Sequence, residues 1–422
     1  MPELPEPPEI GTIALEATVD ADLRTVRGRM TVDPAFGTLL VDPLRRLPDP
    51  TDDLQGQRTF PGRPSHGSVE WTVGPDGVVA FEAHLPRRFG AIGATTHGLF
   101  AAGGWYPQVV TRGGLPTARF TVALTVPAGA AAAVGDVVGD TVGDRIVRWT
   151  GIGERVGIAV VPRPHLTPLD AGASDVIVLS RGRPHRAAVR ELGRALDRLP
   201  VPVDGVIAVA PLRRRLTAHA PGLGYLSDRA FRLTPGFTFA HRIGVVRGIT
   251  AAFVPAADPL DRELAAAAQG QVYAARARNL DTGRFLGAFR WVPQIDAILS
   301  SERTPFYSEI LGRVWPIDPV RDDLVEVFDP HAPGTAVLAQ LDDQYGPGVG
   351  ARVGLAIAAG APVDEAARAA GVDPASIDGW RRAVPRQDYR LAVVDGAVTV
   401  GRLAPDDAPD ETVVVRVDGE DH

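Results

Sequence analysis

The chain has 422 residues, 45% hydrophobic and 23% charged, and this length allows two or three domains with a large core. It contains no cysteine, and all 44 of its basic residues are arginine, which excludes thiol nucleophiles, cysteine-ligated metals, disulfides and any site that needs a lysine. The net charge is −7 with arginines and acidic residues interspersed, so we expect no nucleic-acid partner.

Short β-prone runs dominate the first part of the chain. Thr25–Val32 and 119–126 have the composition and spacing of strands. Val69–Val73 and 78–83 are two further β-prone runs, and the sequence Gly-Pro-Asp-Gly between them predicts a turn. The first part of the chain is therefore predicted to be a β domain.

The pattern changes near residue 175. Two apolar runs at 175–180 and 206–209 predict buried strands, and 184–199 has apolar residues at helical spacing. Helices are predicted further on at 241–256, 259–280, 333–346, 349–360, 363–371 and 374–383. After residue 388, two β-prone runs enclose Asp395 and Gly396, which predicts a hairpin, and 412–417 predicts one more strand.

These patterns predict a multidomain α+β protein. We expect an N-terminal β domain over 1–172, a mixed and increasingly helical domain over 173–386, and a short β segment over 387–422. That last segment has only three candidate strands, and completion of the domain by further sequence or by a partner would both fit this pattern.

Common catalytic motifs are missing. None of the nine histidines has another histidine four residues away, so the zincin signature His-Glu-x-x-His does not occur, and neither does Gly-x-Ser-x-Gly. Two glycine patterns, one at Gly151, Gly153 and Gly157 and one starting at Gly348, lack the dinucleotide-binding spacing, and we interpret both as turns.

Three segments in the middle of the chain carry the most specific pattern. Residues 221–228 read Pro-Gly-Leu-Gly-Tyr-Leu-Ser-Asp, 239–248 read Phe-Ala-His-Arg-Ile-Gly-Val-Val-Arg-Gly, and 262–266 read Arg-Glu-Leu-Ala-Ala. This order resembles the catalytic domain of the M1 zinc aminopeptidases, which are gluzincins. In that family a strand with a Gly-x-Met-Glu-Asn motif precedes a helix carrying His-Glu-x-x-His, and a glutamate on the next helix is the third zinc ligand.

The resemblance assigns roles to residues that mostly depart from the motif. It implies that His241 stands at the first ligand position, Arg242 at the general base and Val245 at the second histidine. Glu263 falls within one residue of the third ligand, and His219 aligns roughly with the glutamate that binds the substrate amine. We therefore expect no bound metal, with His241 and Glu263 as remnants of the zinc site.

The rest of the chain extends the resemblance. Residues 85–90 and 103–107 are similar to segments of the saddle-like M1 N-terminal domain, and the strands from 389 are similar to the start of its β-sandwich domain. His331, in a His-Ala-Pro-Gly sequence, resembles a degenerate form of the segment that supplies a transition-state tyrosine. The resemblance implies a thermolysin-like fold for the second domain.

The differences between this sequence and the M1 zinc-site motif predict that the peptidase activity is lost. A catalytic zinc needs three protein ligands and an open position for water, whereas valine cannot ligate and arginine cannot accept a proton. Arg242 is available instead for an ion pair with Glu263 that would replace the metal between two helices. Tyr225, Asp228 and Arg247 are candidates for lining the interdomain groove.

The leading hypothesis is an inactive M1-like protein that binds a peptide or protein partner or serves as an assembly scaffold. One alternative is a zinc-dependent hydrolase with a rearranged site built from His219, His241 and Glu263, with His331 or Asp228. Another is an unrelated binding protein made of β and α domains.

We expect no cofactor, or zinc if the rearranged hydrolase is the correct alternative. No run of 18 apolar residues lacks Gly, Pro and charge, so no membrane span is expected. The acidic, proline-rich start is not a signal peptide, which leaves the compartment open between the cytoplasm and, if a signal has been trimmed, the periplasm or exterior.

Overall fold

A computed structural model of the chain describes residues 11–33, 38–41, 54–59, 69–73, 77–85, 87, 92–109, 116–139, 145–212, 217–228, 239–256, 258–278, 333–377, 389–394, 397–402, 416–417 and 420–421. These residues combine β-sheets with helices, so the predicted α+β class is confirmed at that level.

The described strands and helices follow one another as predicted in outline. The strands are β1 (Gly11–Val19), β2 (Thr25–Val32), β3 (Thr38–Val41), β4 (Leu54–Thr59), β5 (Val69–Val73), β6 (Val78–His84), β7 (Ile92–Thr95), β8 (Gly98–Ala101), β9 (Gln108–Val109), β10 (Ala118–Thr125), β11 (Ala130–Val134), β12 (Val137–Gly139), β13 (Ile146–Gly153), β14 (Ile158–Pro162), β15 (Pro164–Pro168), β16 (Val176–Arg181), β17 (Gly205–Ala210), β18 (Thr217–Ala220), β19 (Leu223–Ser227), β20 (Tyr389–Val394), β21 (Ala397–Arg402), β22 (Arg416–Val417) and β23 (Glu420–Asp421). The helices are α1 (Arg186–Asp197), α2 (Phe239–Phe253), α3 (Pro259–Arg278), α4 (Pro333–Tyr345), α5 (Val349–Ala358) and α6 (Val363–Ala370), followed by a helical turn at 374–377.

Three five-stranded sheets make up most of the β structure. The first sheet has the order β13-β10-β1-β2-β6, the second β12-β11-β14-β8-β7, and the third β15-β16-β17-β19-β18. A four-stranded sheet has the order β4-β5-β3-β9, and β20 pairs with β21 as the predicted hairpin. The strands β5 and β6, which flank the predicted turn, belong to different sheets.

The second sheet lies between two hydrophobic cores. In β11, Ala130, Ala132 and Val134 join the core shared with the first sheet, while Ala131 and Ala133 join a core shared with the third sheet. Because successive side chains of a strand point to opposite faces, a strand covered on both faces has no polar side. This arrangement explains why β11 is an uninterrupted buried run of alanine and valine.

The third sheet is covered on its other face by helices. Alternate residues of β16, β17 and β19 pack with Leu192 and Leu196 of α1 and with Val246 and Ile249 of α2. The strands β16, β17 and β19 are parallel, whereas β15 and β18 run antiparallel at the two edges. The edge strand β15 lies within residues 1–172, before the predicted start of the second domain, yet it pairs with β16.

The helices α3 to α6 enclose a separate core of small and branched side chains. Gly354 of α5 lies so close to α3 that a Cβ atom built there would be 2.5 Å from Cβ of Ala268. The interpretation of both glycine patterns as turns is therefore wrong for most of these residues. Gly151 and Gly153 lie in β13, and Gly354 lies in a helix. At these positions a side chain would collide with neighbouring atoms, so close packing and not a turn requires glycine.

Candidate functional site

The predicted zinc-site residues are only partly within the described residues. His241, Arg242 and Val245 lie in the first half of α2, as the resemblance implies, but their side chains lie outside the description. His331 also lies outside the described residues. The predicted ion pair between Arg242 and Glu263 therefore lies outside the described side chains and stays a prediction.

His219 lies on the edge of the third sheet. It belongs to β18 and pairs with Gly224 of β19. Its backbone carbonyl accepts a hydrogen bond of 3.2 Å from Nη2 of Arg155, a residue that follows β13. The guanidinium of Arg155 thus covers one backbone acceptor of β18.

Glu263 takes part in a contact between two helices. It lies in the first half of α3, and its Oε2 atom accepts a long hydrogen bond of 3.4 Å from the backbone N–H of Gly334 at the start of α4. A carboxylate at the first turn of a helix is favoured by the helix dipole as well as by the free N–H groups there. The carboxylate of Glu263 therefore stabilises the junction of α3 with α4.

The neighbouring residue Arg262 is the most deeply buried cation in this region, with 3% of its side chain exposed. Its Nη1 atom donates to the carbonyl of Ala256 at 2.8 Å, and its Nη2 atom is ion-paired with Oε2 of Glu154. Only 10% of the Glu154 side chain is exposed, and its other oxygen lies 3.4 Å from Nε of Arg155. Two arginines and one glutamate thus join the end of β13 to α3 and to β18.

Sequence reasoning missed Arg262 and Glu154. An arginine between two acids, as in Asp261-Arg262-Glu263, is typical of a solvated helix face, and nothing in the local pattern distinguishes it. The partner of Arg262 lies 108 residues earlier in the chain, so only the tertiary structure reveals the pair.

Tyr225, predicted to line a groove, is fully buried between the second and third sheets. Its hydroxyl donates to the carbonyl of Ala101 at 2.9 Å and lies 3.1 Å from that of Ile158, both in the second sheet. Burial raises the pKa of the Tyr225 hydroxyl well above its ordinary value, although the nearby charge of Arg155 acts in the opposite direction. Tyr225 therefore ties two sheets together and does not face a groove.

Asp228 directly follows β19 and does line a cavity, although its side chain is only 8% exposed. Its Oδ2 atom lies 3.8 Å from Nδ1 of His97, which belongs to the turn between β7 and β8. Arg247, the third groove candidate, is half-buried on α2. The structure thus brings Asp228 next to a histidine that the sequence did not single out.

Within the described part of the chain, no three His, Asp or Glu side chains are placed to hold a metal ion together. None of the helices described is both long enough and apolar enough to span a membrane. Comparison with known protein families finds no match to the chain, and comparison with curated proteins finds none either.

Proposed function

We propose that this protein is a catalytically inactive relative of the M1 aminopeptidases that binds a peptide or protein partner. Under this proposal the N-terminal sheets correspond to the saddle-like domain and residues 173–386 to a thermolysin-like domain. The edge strand β18, the parallel strand β19 and the helices α2 and α3 follow one another in the order that the resemblance requires.

The buried ion pair between Arg262 and Glu154 carries the proposal. It sits at the start of α3, next to Glu263, where the resemblance expects the third zinc ligand. A guanidinium is charged at every accessible pH, and it repels a dication more strongly the less water separates the two charges. The ion pair between Arg262 and Glu154 beside the expected third-ligand position supports a site that holds no zinc ion.

The position of Glu263 supports the same conclusion. Its carboxylate already accepts a hydrogen bond from Gly334, so binding a metal would break a contact between α3 and α4. Val245 stands in place of a zinc ligand and cannot bind a metal ion. Arg242 stands in place of the general base and cannot activate a water molecule.

We propose that the partner docks at β18, the edge strand of the third sheet. An extended peptide can add to the edge of a sheet through backbone hydrogen bonds, as in many peptide-binding domains. The strand has only four residues, and Arg155 already donates to the carbonyl of His219 there. We therefore expect side chains of the partner, more than its backbone, to determine affinity.

Metal content tests the loss of catalysis. The purified chain is dialysed against zinc without chelators, freed of unbound metal and measured by elemental mass spectrometry. We expect zinc below about one tenth of an equivalent, because a two-ligand site cannot hold the ion through dialysis. About one equivalent that disappears in His219→Ala, His241→Ala or Glu263→Gln would contradict the proposal and favour the rearranged hydrolase.

Peptide selection tests the binding role. A phage-displayed peptide library is panned on the immobilised full chain, and selected peptides are then synthesised, titrated and incubated with the protein. We expect saturable binding of peptides whose masses do not change. Peptides that lose residues during incubation would contradict the inactive assignment, and a library without enrichment would contradict peptide binding.

A further inference from the structure

A small cavity opens at the carboxyl ends of β16, β17 and β19, at the other end of β19 from His219. Its volume is about 160 Å³, and the residues that line it include Ser180, Arg181, Arg183, His185, Asp228 and His97. In open sheets with parallel strands, ligands bind outside the carboxyl ends of those strands. The cavity therefore lies where this type of sheet holds ligands, and its lining is unusually basic.

The basic side chains come from two parts of the chain. Arg181, Arg183 and His185 belong to the connection between β16 and α1, while His97 belongs to the turn between β7 and β8. Arg181 links these two parts of the chain, because its Nη1 atom donates a hydrogen bond of 2.5 Å to the carbonyl of Thr96 in the turn between β7 and β8. The second and third sheets thus both contribute to one cavity.

Hydrogen bonds hold the connection between β16 and α1 in place. The Oγ atom of Ser180 donates to the carbonyl of Gly182 at 2.9 Å, and the N–H of Gly182 donates to the carbonyl of Arg163 at 3.4 Å. Gly182 has a φ of +73°, a left-handed conformation that a glycine adopts without strain. The arginines on either side of Gly182 are therefore presented by a backbone that is ordered before any ligand arrives.

The charges around the cavity favour an anion. Among the described residues that line the cavity, two arginines stand beside one carboxylate, that of Asp228, so these side chains carry a formal charge of 2 − 1 = +1 with both histidines neutral. His97 lies 3.8 Å from Asp228 and, when protonated, places a positive charge next to that carboxylate. The helix α1 begins directly after the cavity residue His185, with no acidic residue in its first turn and no side-chain cap, so its dipole adds to the positive potential.

We propose that this cavity binds the oxyanion group, phosphate or carboxylate, of a small molecule. Arg183 is exposed and supplies a planar set of N–H donors that matches two oxygens of such a group. Arg181 fixes the mouth of the cavity through Thr96, and the histidines supply further donors.

Calorimetric titration with inorganic phosphate tests the site on the full chain. Acetate is titrated in parallel, and sodium chloride holds the ionic strength constant in every arm. We expect saturable binding of at least one of the two anions with a half-saturating concentration below about 10 mM, and the tighter of them identifies the oxyanion class.

Two exposed arginines on the same part of the chain provide a matched pair of variants. Arg183→Gln removes a donor at the cavity, whereas Arg190→Gln removes the same charge from α1 away from it. We expect Arg183→Gln to weaken binding at least about tenfold and Arg190→Gln to change it less than about twofold, since only the first loses a charged hydrogen bond. Equal effects of the two variants, or no saturable binding of either anion, would overturn the proposal.

Discussion

The guanidinium of Arg262 on α3 is ion-paired with the carboxylate of Glu154, which follows the last residue of β13. Both side chains are at least nine-tenths buried, and Arg262 also donates to the carbonyl of Ala256. The pair connects a helix of the second half of the chain to the β structure of the first half. It is the contact on which the proposed loss of metal chemistry depends.

Arg262→Met is expected to destabilise the protein by about 3 kcal/mol, because it leaves the Glu154 carboxylate buried without its principal counter-charge. The free energy of unfolding from urea titration measures the effect. The double variant Arg262→Met with Glu154→Gln is expected to lose less than the single variant, since no buried charge is then left uncompensated.

The exposed pair of Arg194 and Glu191 on α1 is the matched control. Its arginine side chain is 58% exposed, so Arg194→Met is expected to change the free energy of unfolding by less than about 1 kcal/mol. A loss in Arg262→Met as small as that in the control would contradict the structural role of the buried pair.

Tyr225→Phe is expected to lower the free energy of unfolding by about 1–2 kcal/mol, because two buried carbonyls lose a shared donor. Tyr345→Phe is the control, since the Tyr345 hydroxyl contacts Oγ of Ser376 at 2.8 Å in a partly buried position, where water can replace the lost hydroxyl. Thermal and urea unfolding of both variants measure the difference. A larger loss in the control would mean that Tyr225 does not tie the two sheets.

The raised pKa of Tyr225 predicts a pH dependence. In the unfolded chain this hydroxyl ionises near pH 10, whereas in the folded chain it stays protonated to higher pH. Above pH 10 the unfolded state therefore binds fewer protons than the folded state, and stability falls by up to about 1.4 kcal/mol per pH unit. The stability difference between wild type and Tyr225→Phe should shrink between pH 9 and 11, and a constant difference would contradict the burial of an un-ionised hydroxyl.

Gly354→Ala tests the close contact between α5 and α3. The new methyl group would lie 2.5 Å from Cβ of Ala268 and 2.8 Å from the carbonyl oxygen of Leu264, so the helices must separate. We expect a loss of about 2 kcal/mol that outweighs the better helix propensity of alanine. Arg352→Ala, at an exposed position of the same helix, should be nearly neutral, and a neutral Gly354→Ala would show that the helices are further apart.

Local patterns predicted the described helices but fewer than half of the described strands. The run Thr25–Val32 is a strand with the predicted bounds, and the helices from 259, 333, 349 and 363 begin at the predicted residues. Periodicity and proline or glycine punctuation are local signals, so they locate elements well. The partners of strands are not local, which is why the separate sheets of β5 and β6 could not be foreseen.

The candidate sites were less predictable for the same reason. Asp228 was singled out from the sequence and does line a cavity, but its neighbour His97 lies on a different sheet and has no distinctive sequence context. Tyr225 was expected to line a groove, yet its hydroxyl meets two backbone carbonyls of the second sheet. Roles that depend on the packing of one sheet on another become visible only in three dimensions.

The parallel pairing of β1 with β10 also constrains the order of events during synthesis. Gly11 pairs with Ala118 and Thr18 with Thr125, so one side of β1 has no hydrogen-bonding partner until the chain has grown past β10. Long loops must close before such pairs form, which slows folding and leaves an unpaired strand open to other chains. Ribosome-bound chains that end before β10 therefore leave one edge of β1 unpaired and open to pairing with other chains.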